Sequence, residues 1–245
     1  MEPVICRRDG HVMVLTLNRQ DKLNALTQEM YATLVQSLTQ AEQEDSIRAV
    51  LIQGSSECFC AGNDLDDFLS TEEADNGRPV HQFIRLLPRL NKPLVAAVSG
   101  AAVGIGTTML LHCDLVYCSD KTRFSLPFVN IGLVPEAGSS LLLPHRIGRA
   151  QAAELLLLGQ AFDGAKALQL GLVNEVLPVE QVLPRALAQA QALANQPPQA
   201  LQATKALLKG TRPSVDAAMN AEDVAFTAAL TGSEAKPLLA AIRQR

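Results

Sequence analysis

The sequence predicts an α/β protein with largely parallel strands and a helical C-terminal third. Short apolar runs alternate with segments of helical spacing over the first 175 residues, which is typical of strand–helix–strand units. The remainder is Ala/Leu-rich and has the pattern of successive helices. The 245 residues, 48% hydrophobic and 19% charged, are enough for one large core with a helical appendage.

The strands and the first helix are indicated by their periodicity. Apolar residues alternate from His11 to Leu17, which predicts a strand. The segment 30–41 places Met, Leu and Ala at helical spacing, and Thr27 is positioned to cap its N-terminus. Further apolar runs predict buried strands at 49–52, 94–98 and 115–117.

The C-terminal region is punctuated by proline. Helices are predicted at 179–195, 198–209, 214–230 and 234–243. We therefore divide the chain into a core of residues 1–195, which carries the ligand site, and a helical region of residues 196–245. The helical region is expected to form a lid, an oligomer interface, or both. The polar segment from Glu72 to Pro79 is predicted to be a loop.

Charge and composition exclude several classes of partner. The net charge is −4 and there is no dense basic run, which argues against nucleic acid or an anionic membrane. No signal segment, membrane span or peroxisomal address is recognisable, so we expect a cytoplasmic protein. The five cysteines form no C-x-x-C pair, which predicts free thiols and no metal site.

A glycine-rich stretch runs from Ser99 to Thr108. It is not a dinucleotide fingerprint, because Met109 stands where the third glycine of that motif belongs. It predicts a turn from a strand into a helix, where free N–H groups can stabilise an anion. A turn that serves only close packing explains the glycines equally well.

A second stretch of this kind runs from Phe59 to Phe68. The small residues Ala61 and Gly62 could expose a backbone N–H. We interpret Asp64 as a helix cap, and Asp66 and Asp67 as part of a solvated face. Two loops that each offer one N–H would form an oxyanion hole, which suits enolate chemistry on a thioester.

Glu136 is the candidate catalytic residue. It is the one carboxylate between Asp120 and Glu154, and its neighbours are apolar or small. Such surroundings raise the pKa of a carboxyl group and make it a useful general base. A solvated glutamate at the start of a helix is the structural alternative.

Several motifs together resemble the crotonase (enoyl-CoA hydratase/isomerase) superfamily over nearly the whole chain. They are Asn18-Arg19 with Lys22-Leu23-Asn24-Ala25-Leu26, Cys58 to Leu65, Lys92 to Gly100 running on to Cys113-Asp114, and Gly159 to Pro178. The resemblance implies a crotonase-like spiral of strand–strand–helix turns, a trimer or dimer of trimers, and an acyl-CoA substrate. No cofactor is implied beyond the CoA of the substrate.

The resemblance also implies roles for individual residues. The oxyanion donors would be the backbone N–H groups of Ala61 and Ile105. The substrate contacts would come from Lys22, Ala25, Ala61, Gly62, Asn63, Asp64, Leu65, Gly104, Thr108 and Phe128.

Two departures from the family pattern bear on the reaction. Hydratases of the family have a glutamate where this chain has Thr108, and another where it has Phe128 after Pro127. Glu136, in the string Pro135-Glu136-Ala137-Gly138-Ser139-Ser140, instead falls where the peroxisomal-type 3,2-enoyl-CoA isomerases have their base. Chromodomain-fused relatives share this string.

The sequence therefore predicts isomerisation of 3-enoyl-CoA to trans-2-enoyl-CoA in fatty-acid beta-oxidation. The alternatives are a dienoyl-CoA isomerase, a specialised enoyl-CoA hydratase, and a non-catalytic acyl-CoA-binding protein.

Overall fold

The large sheet lies at the centre of the molecule. The computed structural model describes residues 2–69, 78–209 and 212–243. Within them, one sheet has the order β1-β2-β3-β5-β7-β10, and each pair of neighbours is parallel except β1 and β2. Its strands are β1 (Val4–Asp9), β2 (Val12–Leu17), β3 (Ala49–Gln53), β5 (Leu94–Val98), β7 (Leu115–Ser119) and β10 (Glu175–Leu177).

A smaller sheet has the order β4-β6-β8-β9. Its strands are β4 (Cys58–Cys60), β6 (Ala101–Val103), β8 (Arg123–Ser125) and β9 (Phe162–Asp163). Each of β4, β6 and β8 directly follows a strand of the large sheet, so each turn of the chain adds one strand to both sheets. This arrangement confirms the predicted crotonase-like α/β spiral.

The helices agree with the periodicity of the sequence. They are α1 (Gln28–Gln43), α2 (Leu65–Leu69), α3 (Pro79–Leu86), α4 (Ile105–Thr108), α5 (Ser139–Ile147), α6 (Arg149–Leu158), α7 (Gly164–Gln169), α8 (Val179–Ala194), α9 (Pro198–Lys209), α10 (Arg212–Thr231) and α11 (Ala235–Arg243). Thr27 caps α1 as predicted, because its Oγ1 accepts a hydrogen bond of 3.3 Å from the Met30 N–H. Most of the predicted loop at Glu72–Pro79 lies outside the described residues, and Pro79 begins α3.

Both faces of the large sheet are buried along its inner strands β2, β3, β5 and β7, which explains their continuous apolar runs. One face packs against α8, whose buried residues recur every fourth position and so form one stripe. Those residues are Val182, Ala186, Ala190 and Ala194. Three of them are alanine, and such small side chains allow the helix to approach the sheet closely.

The C-terminal helices are attached to the core by a buried lysine. Lys205 on α9 is 5% exposed. Its Nζ donates to the Lys92 carbonyl at 2.7 Å and to Asp114 Oδ2 at 2.6 Å.

None of the helices in the described ranges is both long and apolar enough to span a bilayer.

We predict that Lys205→Met lowers the free energy of unfolding by about 2–3 kcal/mol, because it leaves the Lys92 carbonyl without a donor and the Asp114 carboxylate without its cation. The measurement is urea unfolding at neutral pH. Lys121→Met is the matched control, since Lys121 is exposed. Equal stability of the two variants would contradict the anchoring role of Lys205.

Candidate active site

Two strand-to-helix loops meet at one end of the small sheet. A Cβ on Gly106 would lie 2.5 Å from the Cys60 carbonyl oxygen, so glycine alone lets the first turn of α4 pack against the end of β4. Gly104, just before α4, has a φ of 54°, which also favours glycine. The two glycines therefore bring the loop after β4 and the loop after β6 together.

The N–H of Ile105 is available at this junction. Ile105 is the first residue of α4, and the first N–H groups of a helix have no intrahelical acceptor. The neighbouring Gly104 N–H donates to the Ser125 carbonyl, and the Gly104 carbonyl accepts from the Thr107 N–H. Among the described residues, nothing accepts a hydrogen bond from Ile105 N–H.

The assignment of Ala61 as the second amide donor is wrong. Its N–H donates to the Leu23 carbonyl at 3.0 Å and is not available to a ligand. The Leu26 N–H donates to the Gly62 carbonyl, and the Leu26 carbonyl accepts from the Asp64 N–H. Asn63 lies between these two positions in an extended bridge, so its N–H points away from Leu26. No described residue accepts from Asn63 N–H. Asn63 therefore replaces Ala61 as the candidate donor.

A cavity of about 570 Å³ opens beside these two amides, and its wall is mostly apolar. Of the residues predicted to contact the substrate or the oxyanion, the wall includes Ala61, Gly62, Asn63, Leu65, Gly104, Ile105 and Phe128. The C-terminal helices α10 and α11 contribute Phe226, Leu238, Leu239, Ala241 and Ile242. The helical region thus forms part of the same cavity as the core.

Glu136 is buried beside the cavity. It does not line the cavity itself, but Leu133, three residues earlier, does. Its Oε1 accepts a hydrogen bond of 2.5 Å from Thr108 Oγ1, and its Oε2 has no partner among the described residues. Burial raises the pKa of Glu136 to about 8, although the Thr108 hydrogen bond opposes the shift. A carboxyl group of this pKa can accept and return a proton near neutral pH.

Thr108 has a different role from the predicted one. It is fully buried and is absent from the cavity wall. Its hydroxyl donates to Glu136 at the position where hydratases of the family have a second carboxylate. It therefore orients the base.

Hydrogen bonds from His112 and Ser139 hold the segment after Glu136 in place. Ala137 has a φ of 60°, which is uncommon for a residue with a side chain. Its carbonyl accepts from His112 Nε2 at 2.7 Å. Burial lowers the pKa of His112 to about 4, so the ring is neutral and carries its proton on Nε2. Ser139 Oγ donates to the Glu136 carbonyl at 2.6 Å.

A second buried carboxylate, Glu222 on α10, was not predicted. It is 6% exposed and accepts hydrogen bonds from the N–H groups of Gly138 and Ser140. These contacts join positions 84 and 82 residues apart. A helical pattern in sequence gives no signal for a pairing of that range.

The remaining predicted contacts lie outside the cavity wall. Lys22 is exposed, and the Ala25 carbonyl accepts from the Arg19 side chain. Asp64 caps α2 as predicted, and its other oxygen pairs with Arg19 at 2.6 Å. Asp67 was wrongly interpreted as solvated, because its Oδ2 accepts from the Gln28 N–H at 2.7 Å. Roles for Lys22, Ala25 and Asp64 in binding CoA stay predictions.

Chemically, the site combines one buried carboxyl group, two N–H groups from neighbouring loops that have no acceptor among the described residues, and a mostly apolar cavity. This combination suits removal of a proton next to a carbonyl, with the resulting oxyanion stabilised by backbone donors. Within the described part of the chain, no cluster of His, Cys, Asp and Glu side chains is arranged to hold a metal ion.

Comparison with known proteins defines the family. A family model for enoyl-CoA hydratase/isomerase matches residues 7–237. The chain therefore belongs to the enoyl-CoA hydratase/isomerase family.

Individual relatives have different activities. A 1,2-epoxyphenylacetyl-CoA isomerase of Escherichia coli is 37% identical, over 80% of this chain and 78% of that protein. The enoyl-CoA delta isomerase 2 of Rattus norvegicus is 34% identical over 90% of this chain, which spans only 58% of that protein. Among solved structures, an enoyl-CoA hydratase/isomerase from Pseudoalteromonas atlantica T6c superposes with a TM-score of 0.95. It is 39% identical, and 99% of this chain and 97% of that one are covered.

The raised pKa of Glu136 predicts a pH-dependent stability. Between the ordinary value of 4.5 and the folded value of about 8, the folded state binds a proton that the unfolded state has lost. The free energy of unfolding should therefore fall as pH rises through this range. Over this pH range, the free energy of unfolding of the wild type should fall by on the order of a few kcal/mol more than that of Glu136→Gln. Urea unfolding at several pH values measures the difference, and parallel curves would show that Glu136 is not buried as an acid.

Proposed function

We propose that this protein converts 3-enoyl-CoA thioesters to trans-2-enoyl-CoA. The observation that carries the proposal is the buried carboxylate of Glu136, which pairs with the Thr108 hydroxyl rather than with a second acid. Moving a double bond by one position needs one base that can serve two carbon atoms. Adding water needs a base for the water and an acid for the alpha carbon.

In the first step, Glu136 removes a proton from the alpha carbon of the thioester. The electron pair of the C–H bond moves into a dienolate, and negative charge develops on the thioester oxygen. The N–H groups of Asn63 and Ile105 stabilise this oxygen. They are part of the folded backbone, so little reorganisation is needed as the charge develops.

In the second step, the protonated Glu136 gives the proton to the gamma carbon. The double bond then lies between the alpha and beta carbons, in conjugation with the thioester carbonyl, and Glu136 is again ionised. The apolar wall that includes Phe128 excludes water, which favours return of the proton to the substrate.

Glu222 does not supply the second acid of a hydratase. Both of its oxygens accept backbone hydrogen bonds, at 2.6 Å from Gly138 and 2.8 Å from Ser140. Burial raises the pKa of Glu222, but these backbone donors lower it and so oppose a role as the acid that gives a proton to the alpha carbon. This arrangement favours the isomerase over the specialised hydratase.

The comparisons support the proposal at the level of the family, and relatives from Rattus norvegicus and Homo sapiens are named enoyl-CoA delta isomerase 2. The assignment to beta-oxidation and the trimeric assembly remain predictions.

We predict that Glu136→Gln lowers the rate of isomerisation of trans-3-hexenoyl-CoA by on the order of 10²–10⁴-fold or more, because the base is lost. Absorbance of the conjugated enoyl thioester follows the reaction. Glu154→Gln is the matched control, since Glu154 is exposed on α6, and it should keep the wild-type rate.

Two outcomes would contradict the proposal. Equal rates for the wild type and Glu136→Gln would remove Glu136 from the mechanism. Faster hydration of trans-2-hexenoyl-CoA than isomerisation of trans-3-hexenoyl-CoA by the wild type would assign the site to a hydratase.

A further inference from the structure

The buried carboxylate of Glu222 lies on α10, in the helical region rather than the core. Its Oε2 accepts from the Gly138 N–H at 2.6 Å, and its Oε1 accepts from the Ser140 N–H at 2.8 Å. Gly138 is the residue that precedes α5, so Glu222 binds the N-terminal end of that helix with both oxygens. Each bond joins an ionisable acceptor to a backbone donor in a desolvated place, where such bonds are strong.

These donors belong to the segment that carries the base. Gly138 is two residues after Glu136, and the intervening Ala137 has a positive φ of 60°. A residue with a side chain keeps that conformation only if its surroundings impose it. His112 holds the carbonyl of Ala137 on one side, and Glu222 holds the following N–H groups on the other.

The helix that carries Glu222 is itself fixed to the core. Arg85 on α3 donates to Asn220 Oδ1 at 2.6 Å and to Asp223 Oδ2 at 2.5 Å. The same helix contributes Phe226 to the cavity wall. Helix α10 therefore forms part of the cavity wall and also fixes the segment after Glu136.

We propose that Glu222 is a positioning residue for the base. Its two hydrogen bonds set the direction of the chain after Glu136, and they make that direction depend on the docked position of α10. The inference rests on the proposed role of Glu136 and adds a residue that never touches the substrate.

The charge of Glu222 acts on the base as well. After burial, which is the largest cause, the carboxylates of Glu222 and Asp223 raise the pKa of Glu136, and the Thr108 hydroxyl lowers it. The other titratable groups near Glu136 are Tyr31, Cys60 and His112. Burial keeps these three neutral, because it raises the pKa of the phenol and of the thiol and lowers that of the imidazole. Arg85 faces Asp223 from α3.

Glu222→Gln tests the inference, because the amide keeps the volume of the side chain but offers one acceptor oxygen instead of two. We predict that kcat for trans-3-hexenoyl-CoA falls on the order of 10–100-fold while KM changes less than about threefold, since the base is misplaced and the cavity is kept. The acid limb of the profile of kcat/KM against pH should move to lower pH, because a negative charge beside Glu136 is removed.

Glu234→Gln is the matched control, because it is the same substitution at an exposed residue just before α11. It leaves the hydrogen bonds to Gly138 and Ser140 and the contacts of Arg85 with α10 intact. It should keep kcat within about threefold of the wild type and leave the acid limb in place, because the base stays in position. Equal kcat for the two variants, or a loss confined to KM, would overturn the positioning role.

Hydrogen exchange makes the test independent of the reaction. In Glu222→Gln, the amides of Gly138 and Ser140 should exchange at least about tenfold faster than in the wild type, whereas Glu234→Gln should leave their exchange rates unchanged. If the wild type lacks isomerase activity, the proposed function fails but this measurement still decides the inference. Unchanged exchange at both amides would overturn it.

Discussion

The burial of one carboxyl group with a single side-chain donor is the constraint on which the site depends. An ionised carboxylate is unfavourable in such a place, so Glu136 holds its proton near neutral pH more strongly than an exposed glutamate does. The fold holds this carboxyl group and the chain after it in place from three directions. Thr108 of α4 binds one oxygen, His112 fixes the next carbonyl, and Glu222 of α10 fixes the N–H groups beyond it.

The two sheets explain how the amides come to lie near this base. Each turn of the spiral places a short strand of the small sheet after a strand of the large one, so the loops after β4 and β6 emerge side by side. Close contact at Gly106 then brings the N–H of Ile105 toward that of Asn63. The apolar cavity beside them lowers the effective dielectric constant, which strengthens the interaction of these donors with a developing charge.

The long elements and the raised pKa of Glu136 could be predicted from sequence, because they depend on local patterns. Apolar periodicity located β2, β3, β5, β7 and α1 but not the outer strands β1 and β10, and the isolation of Glu136 among apolar residues indicated its raised pKa. The small sheet was not located strand by strand, because its strands have two or three residues and too few positions to show a period. Asn63 could not be recognised as a donor from sequence, because the directions of the Ala61 and Asn63 N–H groups depend on hydrogen bonds to Leu23 and Leu26. Glu222 was missed because its partners lie more than 80 residues away.

The most direct test of a single buried base is the fate of the transferred proton. A 3-hexenoyl-CoA labelled with deuterium at the alpha carbon would be converted in one turnover in ordinary water, and mass spectrometry would locate the label in the product. If Glu136 carries the proton between the two carbons in a dry cavity, a large share of the product retains deuterium at the gamma carbon. If the gamma carbon carries only hydrogen from solvent, the proton comes from water or from a second acid, and the account of the site is wrong.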